Sequence, residues 1–386
     1  MKKSNNFLLA LLCCFSFSSC DNNDINDTKT KLIISEVVEG NSSDRAIELY
    51  NISDETISLN DYMLEIHLKN SVSTIDFSST LKPNETFLIV HENACEELLS
   101  KADLITSQLT FNGSQPIVLK TKKKNKQVDI VGVLDNQIDY YKDITLTRKK
   151  EFLVGRKSFD EYDWIRYNTG NFKYLKTIDV SITNQELLSG PCLTNEYLSL
   201  PFYKLDSYGN YIGGGGVMNV DLISNIDGDT STFRYDTTII SVLGIQQGSK
   251  LRYQNIDTPE SYAGNVQEFG LMAKAYTKHR LEEAFEIQVQ SVLDGAITET
   301  FGRMLGWVWI DGELLNHSIV KMGYSNLNFS TNDMMLYKDV SYTNFLYDAQ
   351  LYATKNKLGI HGEIDPYWDY ENNRVKDNVS GINPFK

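Results

Sequence analysis

Three short stretches in the second half of the chain concentrate side chains able to handle a cation or a phosphate: NIDGDT at 225–230, RYQNIDTPE at 252–260 and FGRMLGWVWIDG at 301–312. Carboxylates are hard oxygen donors for a divalent cation and acceptors for a proton. The planar fork of an arginine matches phosphate oxygens better than a lysine does. Read singly, each stretch implies less. Asp227-Gly228 is an ordinary hairpin turn, and Arg252 and Arg303 are ordinary surface ion-pair partners. NIDGDT is not an EF-hand loop, because the spaced acids and closing glutamate of that loop are missing. Arg252 and Asp257 also carry a geometric condition. An offset of five places them on opposite faces of a regular strand, so they can serve one ligand only if the strand bends or ends between them. Pro259 has no N–H to give a ladder and holds Thr258 in extended or turn geometry, so a strand end is expected there.

The elements that must position these residues begin at Val217. VMNVDLI, TTIISVLGI, KLRYQNI, FEIQVQSV and MLGWVWI read as strands. Residues 265–284 place Phe269, Met272, Ala273 and Tyr276 on one helical face. Further helices are expected over Leu314–Met322, stopped by Gly323, and Tyr337–Leu358, stopped by Gly359. Five strands with appended helices fit an α+β Greek-key barrel of OB type. Upstream, from Lys31 to about Asn168, the pattern is all strand: LIISEVVE, AIELYNI, MLEIHL, TFLIVH, QPIVLKT and VDIVGVL, an immunoglobulin-like β-sandwich by spacing. Residues 169–216, with GGGG at 213–216, read as a linker. The run KTKKKNK at 120–126 falls between two strands and reads as a solvated hairpin tip; Lys122, Lys123 and Lys124 are alternatively contacts for phosphate groups.

In this order and at these separations, the three stretches closely resemble the staphylococcal nuclease family over residues 217–364, down to the helix end DAQLYATKNKLGI. The resemblance implies that Asp229, Asp257 and the backbone carbonyl of Thr258 hold Ca2+, that Glu260 activates or orients the attacking water, and that Arg252 and Arg303 grip the phosphate. It implies hydrolysis of DNA and RNA to 3'-phosphate ends. Thr300, Phe301 and Phe329 depart from the lysine and tyrosines that the family often places there, which puts substrate affinity or end preference in question. In the first domain, ISEVVEGNSSDRAIELYNISDETISLNDYML, FNGSQPIVLKTKKKNKQVDIVGV, ITLTR and the following Asp163-Trp164 resemble the lamin tail domain, over 31–168. That resemblance carries no catalytic residues.

The ends of the chain bear on where it works. MKKSNN followed by FLLALLCCFSF and SSC reads as a basic segment, an apolar run too short to span a membrane, and small residues before Cys20. Phe17-Ser18-Ser19-Cys20 resembles the lipobox of bacterial lipoproteins, although Phe17 departs from the usual leucine. Residues 1–19 are then a signal peptide, Cys20 is lipidated, and 20–30 form a tether at the cell surface, with 365–386 a C-terminal tail. Only Cys95 and Cys192 follow Cys20, and whether they pair is open on sequence alone. Without residues 1–19 the chain carries 35 basic and 51 acidic side chains, a net of -16. Such a balance argues against general electrostatic capture of nucleic acid. Residues 217–370 alone hold 11 basic and 20 acidic groups. The reading is therefore a monomeric, surface-anchored, calcium-dependent nuclease of two domains. The alternative is a lipoprotein that binds nucleic acid or another surface without catalysis.

Overall fold

The computed structural model describes residues 30–136, 138–262, 264–299, 302–328, 334–377, 379 and 384–385. The leader, Cys20, Thr300, Phe301 and Phe329 lie outside the described residues.

Ten strands build the two main sheets of the first domain: β1 (Leu32–Glu39), β2 (Arg45–Asn51), β3 (Tyr62–His67), β4 (Val72–Asp76), β5 (Thr86–His91), β6 (Leu104–Thr106), β7 (Ile117–Thr121), β8 (Lys126–Val131), β9 (Ile144–Arg148) and β10 (Trp164–Asn168), with a short pair, Ile57–Ser58 and Thr80–Leu81, beside them. They pair as two sheets, in the orders β10-β9-β1-β2-β5-β6 and β8-β7-β3-β4. The facing side chains meet in a core that includes Leu32, Ile34, Ile47, Leu64, Phe111, Leu119 and Trp164. β1 is buried along its whole length, because the outer face of the larger sheet is covered as well. There Val38, Ala46 and Leu88 pack under α1 (Glu96–Lys101) and under Phe172 and Leu175 of the linker.

Glu36 and Glu48, paired across β1 and β2, are both buried. The amide of Lys176 donates to Glu48 Oε2 at 2.6 Å. Desolvation holds both carboxyls above the usual carboxylate range, and the charge of Glu48 pushes Glu36 further up.

The linker is itself structured. It carries α2 (Asn184–Ser189), begun by a capping box between Thr183 and Glu186, then α3 (Asn195–Ser199) and a hairpin joining Tyr203–Leu205 to Tyr211–Gly213.

The second domain contains β11 (Val217–Asn219), β12 (Asp221–Asn225), β13 (Thr230–Arg234), β14 (Lys250–Tyr253), β15 (Ile287–Gln290) and β16 (Met304–Ile310), in the order β11-β15-β16-β14-β13-β12. β14 and β16 run parallel and the other neighbours antiparallel. The two outermost strands, β11 and β12, are separated in the chain by Val220 alone, and the Val220 amide donates to Ile287 O at 3.0 Å. The strand path therefore returns on itself, as an OB-type barrel requires. Phe233, Leu251, Val289, Met304, Trp307 and Val308 fill the interior.

One expected strand is a helix. TTIISVLGI forms α4 (Thr237–Leu243), and its place in the barrel is taken by β13. Asp236 Oδ1 accepts the Thr238 amide at 2.7 Å, and Gly244 closes the helix with φ 63°. Caps at both ends override the strand preference of the β-branched run. α5 (Gly270–Glu282) starts later than expected, because Phe269 adopts φ 62° and gives its amide to Asp365 Oδ2 at 2.6 Å. α6 (Leu315–Lys321) falls as expected. α7 (Tyr342–Lys355) also starts late: Leu336–Tyr337 pairs with Val340–Ser341, and Ser341 caps the helix.

α7 is shared by both domains. Its Phe345, with Val340, packs on Ile165, Tyr167, Tyr174, Ile182 and Leu187. Asn344 Nδ2 donates to Arg166 O at 3.0 Å, Lys355 pairs with Asp160 at 2.7 Å, and Tyr347 donates to Glu161. Lys149 Nζ lies 2.6 Å from Asp348 Oδ1, with the lysine side chain 0% and the aspartate 6% exposed. The two remaining cysteines are free thiols, Cys95 half-buried and Cys192 exposed.

Candidate active site

The sequence condition on Arg252 and Asp257 is met by a break in the backbone. β14 ends at Tyr253, Asn255 turns the chain through φ 58°, and a short pair, Ile256–Asp257 with Asn326–Leu327, follows. Asparagine tolerates this left-handed conformation better than most residues, which suits it to the position. Two helices hold the turn from behind. Asn316 of α6 donates to Gln254 O at 2.9 Å and accepts from Val308 N at 3.0 Å, and Asn255 Nδ2 donates to Thr343 Oγ1 of α7 at 2.7 Å. Past the turn, both acids meet one guanidinium. Arg252 Nη1 pairs with Asp229 Oδ2, and Nη2 donates to Asp257 Oδ1 at 2.5 Å.

Asp229 is buried at the start of β13 and well held. Its Oδ2 accepts from the amide and hydroxyl of Thr258 at 2.7 and 3.0 Å, and its Oδ1 accepts from Thr230 Oγ1 at 3.0 Å. Asp257, by contrast, is mostly exposed. The two loops touch through Gly228, where a Cβ would stand 2.7 Å from Thr258 Oγ1. Only glycine fits that approach. The carbonyl of Gly228 accepts from Thr277 Oγ1 of α5 at 2.6 Å.

Glu260 is half-buried at the foot of a closed loop. Its amide donates to Gln267 Oε1 and its carbonyl accepts the Gln267 amide, both at 2.9 Å. Gly270, where a Cβ would come within 2.1 Å of Glu260 O, lets α5 start directly beneath. Desolvation raises the pKa of Glu260, and Asp227, Asp229 and Asp257 push it the same way. A carboxylate so placed is a stronger base than a solvated one. Arg303 lies at a tight turn, where Nη2 donates to Glu299 Oε2 at 3.0 Å and Nε pairs with the other oxygen. That hydrogen-bonded partner raises its pKa most, and Asp229 and Glu260 add to the effect, so the guanidinium lies in the same acidic field.

The cluster thus draws on β14, which carries Arg252, and on the segments flanking β13, β14 and β16, which carry Asp229, Asp257, Thr258, Glu260 and Arg303. Sequence reasoning passed over three of its neighbours. Asp227, read as a turn residue, accepts the Gly228 amide at 2.8 Å and bears on Glu260. Gln267 and Glu299 carry no motif of their own; the one available signal was the spacing of Glu299 four residues before Arg303. Lys122, Lys123 and Lys124 stand elsewhere, at the β7–β8 hairpin tip, all exposed, with Lys122 paired to Asp76 at 2.8 Å. Among the described residues no three His, Cys, Asp or Glu side chains form a metal cage by themselves. The donors available beside Arg252 are two carboxylates with the backbone of Thr258, all oxygen, in a field with excess negative charge. That chemistry fits a hard divalent cation.

A barrel with OB strand order, in which an arginine of β14 meets acids from the adjoining segments, defines the class of the second domain. The family model for staphylococcal nuclease homologues matches residues 250–362, and that for the lamin tail domain matches 26–135. The chain belongs to the staphylococcal nuclease family, which makes its second domain a nuclease-type hydrolase domain, and its first domain is a lamin tail domain. Among its relatives is a thermonuclease of Staphylococcus intermedius, 31% identical over 128 residues, covering 32% of this chain and 69% of the relative. Another, a thermonuclease of Staphylococcus hyicus, is 33% identical over 96 residues, covering 24% of this chain and 54% of the relative.

Proposed function

We propose that the protein is a calcium-dependent phosphodiesterase that hydrolyses DNA and RNA, anchored at the bacterial surface through lipid on Cys20. The observation that carries this reading is the convergence of Asp229 and Asp257 on Arg252, beside a half-buried Glu260 whose proton affinity is raised. A phosphodiester repels an incoming hydroxide and gains negative charge on its oxygens as the bond to water forms, so it needs cations and a base. Asp229, Asp257 and the Thr258 carbonyl would hold calcium, which would supply charge that screens the phosphate. Arg252 and Arg303 exchange a carboxylate partner for phosphate oxygens. Glu260 takes a proton from water as its oxygen attacks phosphorus, and the 5'-oxygen leaves, so that products end in 3'-phosphates.

The test is incubation of the protein with plasmid and with RNA, in calcium and in chelator, alongside Glu260→Gln. Calcium-dependent cleavage is expected, with a glutamine variant slower by about 10² to 10⁴ that still binds nucleic acid. Protein that binds but never cleaves in calcium, or a glutamine variant at the wild-type rate, would refute the reading in favour of a binding module.

A further inference from the structure

We infer that Asp365 is a positioning residue for Glu260, acting through the first turn of α5, an inference that rests on the nuclease reading. Asp365 stands just past residue 362, the last one matched to the family model, in the segment that reads as a C-terminal tail. Even so, it is only 1% exposed. Its carboxylate accepts two backbone amides, Phe269 on Oδ2 at 2.6 Å and Tyr367 on Oδ1 at 2.9 Å. The tail folds around it: the Asp365 amide donates to the Tyr370 hydroxyl at 2.9 Å, and the Trp368 amide donates to Asp365 O at 3.2 Å. The Tyr370 hydroxyl donates in turn to Glu268. Two consecutive residues, Glu268 and Phe269, are therefore held by the tail.

Phe269 needs that hold. It is buried, adopts φ 62°, and begins α5 without a side-chain cap of its own. A left-handed conformation is costly for a residue other than glycine and persists only where the surroundings fix it. A carboxylate at the N-terminal end of a helix is favoured by the helix dipole as well as by the hydrogen bond it accepts. What Phe269 fixes is the floor beneath Glu260. Two residues earlier, Gln267 meets both backbone groups of Glu260 at 2.9 Å, and the Gly270 amide donates to Gln267 O at 3.0 Å. Gly270 lies so close to Glu260 O that a Cβ there would come within 2.1 Å. Residues 267–270 are thus a bracket, with Glu260 resting on it and Asp365 pinning it. A shift of Phe269 passes to Gln267 and Gly270, and from them to the base. Misplacing a reacting group by about 1 Å is enough to cost roughly 100-fold in rate.

The experiment compares the full-length parent with Asp365→Ala, Asp365→Asn and Tyr370→Phe on a short oligothymidylate in calcium, with kcat expressed per folded molecule. Hydrogen exchange at the amides of Glu260, Gln267 and Phe269 is followed in parallel, without substrate. Asp365→Ala is expected to lower kcat roughly 10- to 100-fold, to leave KM within about 3-fold, and to speed exchange at all three amides. Asp365→Asn keeps an acceptor for the Phe269 amide and is expected to recover kcat to within about 3-fold of the parent. Tyr370 is 51% exposed, so Tyr370→Phe leaves the fold intact; it is expected to lower kcat roughly 2- to 10-fold with the same split. A merely structural role would lower the unfolding midpoint and leave kcat per folded molecule at the parental value, and that result overturns the inference. Should Asp365→Ala not fold, Tyr370→Phe decides: parental kcat and parental exchange at Glu260 overturn it. Faster exchange with parental kcat overturns the positioning role and leaves the nuclease reading standing. Failure of the wild-type protein to cleave overturns the nuclease reading and this inference with it.

Discussion

Replacing Asp348 by alanine should weaken the docking of the two domains far more than loss of a surface ion pair would. Lys149 has no exposed side-chain surface and 2.6 Å separates it from Asp348. Removing one partner of a buried pair leaves an uncompensated charge, typically at a cost of about 3 to 5 kcal/mol. Two residual contacts soften this: Asn184 Oδ1 at 3.1 Å from Lys149 Nζ, and the Tyr162 ring, whose centroid is 4.1 Å away. The expected loss is therefore at the low end, about 3 kcal/mol. Among the described residues Asp348 Oδ2 has no hydrogen-bond partner, so the pair is not a fully satisfied network even when intact. Lys149→Met with Asp348→Leu should consequently recover most of the loss, within about 1 kcal/mol of the parent. Urea unfolding of the whole protein, followed by far-UV circular dichroism and tryptophan fluorescence, reads both effects. A single variant that loses less than about 1 kcal/mol, or a double variant as weak as the single one, would refute the assignment of an energetic role to this pair.

Gln267→Leu removes the acceptor of the Glu260 amide and frees the loop foot; kcat should fall roughly 10-fold or more with little change in unfolding midpoint, measured on a dinucleotide substrate. Because Glu36 and Glu48 hold their protons more tightly in the folded sandwich than in the unfolded chain, they favour folding below the ordinary carboxylate pKa of about 4.3, and that contribution is lost as pH rises through their raised values. Urea midpoints should fall over that interval in the parent and fall less in Glu48→Gln. Neutralising Lys122, Lys123 and Lys124 should lower the salt dependence of DNA binding by about one phosphate contact or more without changing dinucleotide turnover; an identical salt slope returns that hairpin tip to plain solvation.

Local rules account for what was legible beforehand. The strand end near Asp257 follows from Pro259, and Asp229, Arg252, Asp257, Glu260 and Arg303 stand within three short stretches whose order alone is distinctive. The helix at Thr237–Leu243 was misread because its β-branched residues favour strands, whereas the decisive terms were a cap at Asp236 and a left-handed Gly244. Partners brought together only by tertiary folding left no local trace: Gln267 under Glu260 and Asn316 of α6 under Gln254. Lys149 is the extreme case. In sequence it is one of three consecutive basic residues, with nothing to separate a buried ammonium from a solvated one until Asp348 arrives from the far side of the fold.

That separation of 199 positions also sets an order of events. A chain made from its N-terminus completes the sandwich long before α7 exists, so Ile165, Tyr167, Tyr174 and the Lys149 ammonium must wait uncovered while about as many residues again are added. The vulnerable interval in the life of this molecule is then its synthesis rather than its working state. A truncation just before α7 would extend that interval indefinitely: the sandwich would be left with an adhesive flank, and the fragment should be recovered aggregated or degraded.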